Sequence, residues 1–252
     1  MKKPTKTWTK KYAKRGSAKA DKRKLGTIPD FSENIRFNKI YDELKGLCEF
    51  IKNKKPGEMT PEKWKELTQS LKNYILIRLV NVMELQLQTE TVFLIDHFKL
   101  KPVDILRKEQ LEISLRDLDL FRQEATTDGK IVTQEFKFAN IYGINSIFSS
   151  INALGFFALL EDLYRLSIEK ELGYILKLRN DVVHNLIDVE WKHVEFEANI
   201  KKVRTYSNMF FIVSWISLDI QLINSKGIGN ICKEKTGKTI DEFKKLIEKY
   251  EY

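Results

Sequence analysis

Three residues within segment 171–187 have types and spacing that could do chemistry: Arg179, Asn180 and His184. A histidine titrates near neutral pH. It can take the proton from a ribose 2′-hydroxyl or give one to a leaving 5′-oxygen. An arginine can hold a phosphate bidentately and stabilise the charge that grows on it. Attack by the neighbouring 2′-hydroxyl requires no metal, so this set suits RNA cleavage. Asn180 adds a polar group that could orient substrate or histidine.

Those residues must be positioned by a helix. Leu172, Ile175, Leu176, Val182, Val183 and Leu186 recur at helical spacing and form one apolar stripe, with Arg179 in its middle. An arginine on such a face is costly unless an anion meets it. That anion is a ligand phosphate or a carboxylate of the chain, with Glu84 and Glu171 as candidates. Asn180 and His184 are four apart and share a face. Arg179 and His184 are five apart, about 140° around an ideal helix. They converge only if the helix ends or bends near His184, or if two copies face each other in a dimer.

The motif Leu178-Arg-Asn-Asp-Val-Val-His-Asn resembles the signature of the HEPN superfamily, an Arg followed after four to six residues by His, with Asn, His or Asp often next to the Arg. The match covers about eight residues. The resemblance implies a helical bundle with its core at about residues 60–222. It also implies a metal-independent endoribonuclease working as a dimer, of the kind found in toxin–antitoxin and phage-defence settings. Arg179 and His184 would then be the catalytic pair and Asn180 a supporting group, and an antitoxin or defence-system protein would be a possible partner. Other members of the family bind RNA or nucleotides without catalysis. A protein-interaction module, with Arg179 paired to a carboxylate, is the remaining alternative.

The rest of the chain predicts an all-α helical bundle with long antiparallel helices, over residues 25–252. Helices are expected over 32–52, from Thr60 to about Phe98, over 102–125, 151–168, 168–184, 194–222 and 240–250. Thr60-Pro61 is a start signal, an N-cap hydroxyl followed by proline at the first helical position. Thr126-Thr127-Asp128-Gly129-Lys130 reads as a turn, and 131–150 reads as strand or helix. His97, ending an apolar helix, is placed to cap carbonyls, and His193 reads as a surface or half-buried histidine.

Charge is unevenly placed. The chain carries +9 overall, yet residues 1–24 hold eleven Lys and Arg against Asp21 alone, leaving the remainder near neutral. This segment has too few large apolar groups to fold alone, so a disordered basic tail is expected. Lys10, Lys11, Lys14, Arg15, Lys22, Arg23 and Lys24 lie near Trp8 and Tyr12, a composition that suits RNA phosphates and stacked bases, or simply solubility.

No cofactor motif is complete. Thr236-Gly237-Lys238-Thr239 imitates the end of a phosphate-binding loop, but Cys232 stands where the first glycine belongs. Residues 224–238, with three glycines, read instead as a flexible connector. Cys48 and Cys232 have no metal-ligand spacing. No run of about 18 uninterrupted apolar residues suggests a membrane span, so a cytoplasmic protein is the default expectation.

Overall fold

The computed structural model describes residues 32–53, 57, 59–108, 127–225 and 227–251. Among them are ten α-helices and no strand, so the fold is an all-α bundle. In chain order these are α1 (Ser32–Lys52), α2 (Pro61–Phe98), α3 (Pro102–Lys108), α4 (Asp128–Glu135) and α5 (Ile141–Asn152), then α6 (Phe156–Tyr164), α7 (Ile168–Asn185), α8 (His193–Leu218), α9 (Ile228–Thr236) and α10 (Ile240–Tyr250).

Helix α2 is the spine. Thr60 caps its start by accepting a hydrogen bond from the Lys63 amide at 3.3 Å, with Pro61 next. Lys99 ends it in the left-handed conformation (φ 52°) and donates its amide to the Ile95 carbonyl. The His97 ring packs beside Phe93, Phe98 and Trp215, and burial lowers its pKa.

Helices α1, α4, α7 and α8 all pack on α2. The register follows from paired contacts. Tyr41 meets Gln86 while Phe50 meets Trp64, so α1 is antiparallel to α2. Gln86 meets Asn208 and Phe93 meets Trp215, so the two longest helices, α2 and α8, run parallel. Phe148, Phe156, Phe157 and Phe210 form the aromatic centre where α5 and α6 meet α8.

By length and composition the span His193–Ile223 could cross a membrane, but 67% of its most apolar window is buried inside the bundle. A single π-helical turn, Asp219–Ile223, extends α8 and ends at Asn224 in the left-handed conformation.

Three local expectations are corrected and one open alternative is decided. The stretch 127–130 is not merely a turn: Thr127 accepts from the Lys130 amide and starts α4. Asp-Gly chemistry signals a turn and a helix start equally well. Residues 131–150 hold the end of α4 and most of α5, with no strand. The helix expected over 151–168 is broken. Ala153 ends α5 in the left-handed conformation, and α6 starts after Gly155, whose amide donates to the Tyr250 carbonyl.

The connector 224–238 is largely α9. Gly237 (φ 69°) is its C-terminal cap, and Thr239 caps α10 in a reciprocal pair with Glu242. Both elements of the apparent phosphate loop thus serve as helix punctuation. Of the helix expected over 102–125, α3 covers the start, and 109–126 lie outside the described residues.

Candidate functional site

Helix α7 carries the Arg179–His184 segment. Ile168, Leu172, Ile175, Leu176 and Val182 are buried and hold it against the bundle. The expected stripe stops there. Val183 is exposed and Leu186 is 88% exposed, because the final turn reaches beyond the helices that cover the rest. Leu186 closes α7 in the left-handed conformation (φ 51°).

Arg179 is anchored on three sides. Its Nη1 donates to Asn180 Oδ1 at 3.0 Å, and its Nη2 donates to Asn81 Oδ1 at 3.2 Å. Glu84 Oε1 stands 3.7 Å from the same Nη2. The side chains of Arg179 and Glu84 are 18% and 21% exposed, so the pair is half-buried, not sealed. Burial raises the Glu84 pKa, and the Arg179 charge partly offsets that rise. Of the two candidate carboxylates, Glu84 is the one that meets Arg179. Glu171 belongs elsewhere: Lys202 lies 2.6 Å away and the Tyr206 hydroxyl donates to it at 2.8 Å. The Lys202 hydrogen bond leads the causes that lower its pKa.

His184 lies on the last turn of α7 and is exposed. The helix is unbroken through Asn185, so no bend brings His184 and Arg179 together within one chain. Their angular offset stays at about 140°. The chain after His184 is pinned to α2. Asn73 donates to Asp188 Oδ1 at 2.9 Å and accepts from the Val189 amide at 3.0 Å, and Gln69 donates to the Val189 carbonyl at 3.0 Å. The same bonds set the direction of α7: Asn73 meets Asp188 and Asn81 meets Arg179, so α7 is antiparallel to α2.

Of this polar seam sequence reasoning named only Glu84. Gln69, Asn73, Asn81 and Glu84 recur along α2 at spacings of about one or two turns, and that regularity was the available signal. On its other side α7 borders an open cleft of about 680 Å³, whose lining includes Tyr142, Gly173, Lys177, Asn180 and Asp181. Asn180 thus connects the Arg179 anchor to the cleft. His193 opens α8 and is half-buried.

The basic residues Lys10, Lys11, Lys14, Arg15, Lys22, Arg23 and Lys24 lie outside the described residues. Among the described residues no three His, Cys, Asp or Glu side chains gather as a metal-binding group. No family model, curated protein or solved structure matches this chain.

Proposed function

We propose that the chain is an endoribonuclease of HEPN type that cuts RNA by 2′-hydroxyl attack. The observation supporting this reading is the contrast between its two central residues: Arg179 is held by Asn81, Asn180 and Glu84, while His184 stands exposed about 1.4 helical turns further along. A fixed cation suits a scissile phosphate, and an accessible imidazole suits proton transfer. In the reaction the 2′-oxygen bonds to phosphorus and the bond from phosphorus to the 5′-oxygen breaks. The proton leaves the 2′-hydroxyl, and another reaches the departing 5′-oxygen. The products carry a 2′,3′-cyclic phosphate and a 5′-hydroxyl.

Two such segments facing each other across a homodimer would bring Arg179 of one copy near His184 of the other. The exposed apolar residues Val183, Leu186 and Ile187 border His184 and suit such an interface. One histidine could then act as base and the other as acid. RNA is the substrate in this reading, the basic N-terminal residues add affinity for it, and an antitoxin or defence-system protein would be its natural restraint.

The test is incubation of the purified chain with total RNA, with and without chelator, beside a His184→Ala variant. The parent is expected to produce cyclic-phosphate ends in both conditions. His184→Ala should lose about 100- to 10,000-fold in rate, with RNA affinity nearly kept. Equal cutting by parent and variant would sink the reading.

The Arg179–Glu84 pair favours a second reading, a non-catalytic interaction module in which Arg179 only ties α7 to α2. The apolar surface at Val183, Leu186 and Ile187 would then receive a partner protein.

A further inference from the structure

The cleft beside α7 is built from one face of that helix and the start of α5. Lys170, Gly173, Lys177, Asn180 and Asp181 line it, at spacings of three or four residues that put them in one row. His184 falls three residues after Asp181 and four after Asn180. It continues the same row, about 5.4 Å further along the axis. Arg179 is not in the cleft lining; it lies behind Asn180, which accepts its Nη1 hydrogen bond.

Across from this row stands Tyr142, 75% exposed, in the first turn of α5. A tyrosine so placed contributes little to the core, and its ring offers a flat apolar face to whatever enters. The remaining chemistry is mixed. Lys170 and Lys177 supply positive charge, while Glu161, Glu169 and Asp181 supply carboxylates that only accept hydrogen bonds. Asp181 already accepts one, from Asn185 at 3.1 Å. A surface for phosphate alone would not carry those carboxylates. A cleft for an apolar ligand would not carry the lysines. A nucleotide needs all three: a ring to stack on, acceptors for its amino and ring N–H groups, and cations for its phosphate.

We propose that this cleft binds one unpaired nucleotide of single-stranded RNA. Its base lies on Tyr142, its amino edge meets Asp181 or Glu161, and its phosphate lies by Lys177. The adjoining phosphodiester leads along α7 toward His184. Splayed bases stacked on aromatic side chains and read at their polar edges are the usual mode of single-strand recognition. The carboxylates only accept, and uracil's single N3–H donor is flanked by two carbonyl oxygens that repel them, so adenine, cytosine and guanine, which carry amino groups, are preferred. The volume, about 680 Å³, falls within the range of small-ligand sites. The assignment rests on RNA as the ligand of α7, as proposed above, but not on turnover.

The test uses the full chain carrying His184→Ala, to prevent turnover, and fluorescein-labelled tetraribonucleotides of each base, short enough to limit their reach to the basic N-terminal residues. Binding of the adenine, cytosine or guanine tetramers should exceed that of the uracil tetramer. Tyr142→Ala should weaken binding roughly 5- to 100-fold, the loss of one base–aromatic stack, and Tyr142→Phe should restore it. Lys177→Ala should weaken all tetramers alike, and Asp181→Asn should shrink the preference over uracil.

Unchanged affinity in Tyr142→Ala, or no binding of any tetramer, overturns the site. The two proposals can fail separately. A parent chain that never cuts RNA, together with a Tyr142→Ala loss of affinity, leaves the cleft standing and removes the catalysis. A parent that cuts RNA, with Tyr142→Ala binding as the parent does, removes the cleft and leaves the catalysis.

Discussion

The guanidinium of Arg179 on α7 lies 3.7 Å from the carboxylate of Glu84 on α2, and both side chains keep a fifth or so of their surface in solvent. The pair therefore both ties two helices together and remains reachable by a ligand. Its two halves have different consequences. Glu84 can become neutral when Arg179 is removed, because burial already raises its pKa.

Arg179→Ala and Glu84→Gln should each lower stability, by roughly 1–2 kcal/mol, less than for a fully buried pair. Arg179→Ala should also reduce RNA cleavage, by about 100- to 1,000-fold, as expected for loss of a donor to transition-state charge, and Glu84→Gln should reduce it less, because Asn81 and Asn180 still hold the guanidinium. A double-mutant cycle in thermal unfolding measures the first effect and a cleavage assay the second. Zero coupling in the cycle would show that the pair is not formed in solution. Full cleavage by Arg179→Ala would leave it a structural tie.

Glu90 lies wholly inside the bundle, where Gln86 donates to it at 2.8 Å. Burial raises its pKa from 4.5 to about 8, the Gln86 hydrogen bond opposing that rise. The native state therefore holds this proton more tightly than the unfolded chain does. The stability it confers is complete below about pH 4.5 and is lost as pH rises through about 8. The slope in that window is at most about 1.4 kcal/mol per pH unit. Glu90→Gln, which keeps an acceptor for Gln86 without an ionisable proton, should flatten the profile between those limits. It should melt above the parent at the alkaline end. Parallel melting curves for both proteins across the window would refute a buried neutral Glu90.

Gly129 marks a close approach of α4 to α2. A Cβ there would lie 2.5 Å from the Val92 carbonyl oxygen and 2.7 Å from its Cα, and backbone cannot yield cheaply. The Gly129 amide also donates to Asp96 at 2.8 Å. Gly129→Ala should cost about 1–3 kcal/mol through overpacking. Gly46, exposed on α1 with no atom within 4 Å of an added Cβ, is the control. Gly46→Ala should stabilise by roughly 0.5–1 kcal/mol. Denaturant unfolding of both variants decides the matter, and a neutral Gly129→Ala would mean the two helices sit further apart.

Residues 1–24 carry eleven Lys and Arg against Asp21 alone. Deleting them should weaken RNA binding and flatten its dependence on salt. On single strands the logarithmic slope should fall by about 0.7 for each phosphate that the truncated chain no longer neutralises. A slope that stays the same after truncation would assign this segment to solubility.

Local chemistry makes much of this protein legible from its residues. Thr60-Pro61 announces the start of α2, and the apolar repeat from Leu172 to Val182 announces the buried face of α7. The span 240–250 agrees at both ends, because Thr239 and Glu242 cap within four residues of each other. Where local signals serve two outcomes, tertiary packing chose. Asp128-Gly129 opens a helix because α2 leaves room there for a glycine only. The glycines at 227, 229 and 237 flank or sit within α9 because Ile228 and Cys232 are buried in the core. Val183 and Leu186 share the period of the buried stripe yet are exposed, since among the described residues no helix covers the end of α7. The residues around Arg179 were the least accessible to sequence reasoning. Asn81 is 98 positions away, and Glu84 was only one of two possible carboxylates. Periodicity acts over a turn or two, whereas the choice of partner depends on how α7 and α2 lie against each other, which the packing of the whole core decides.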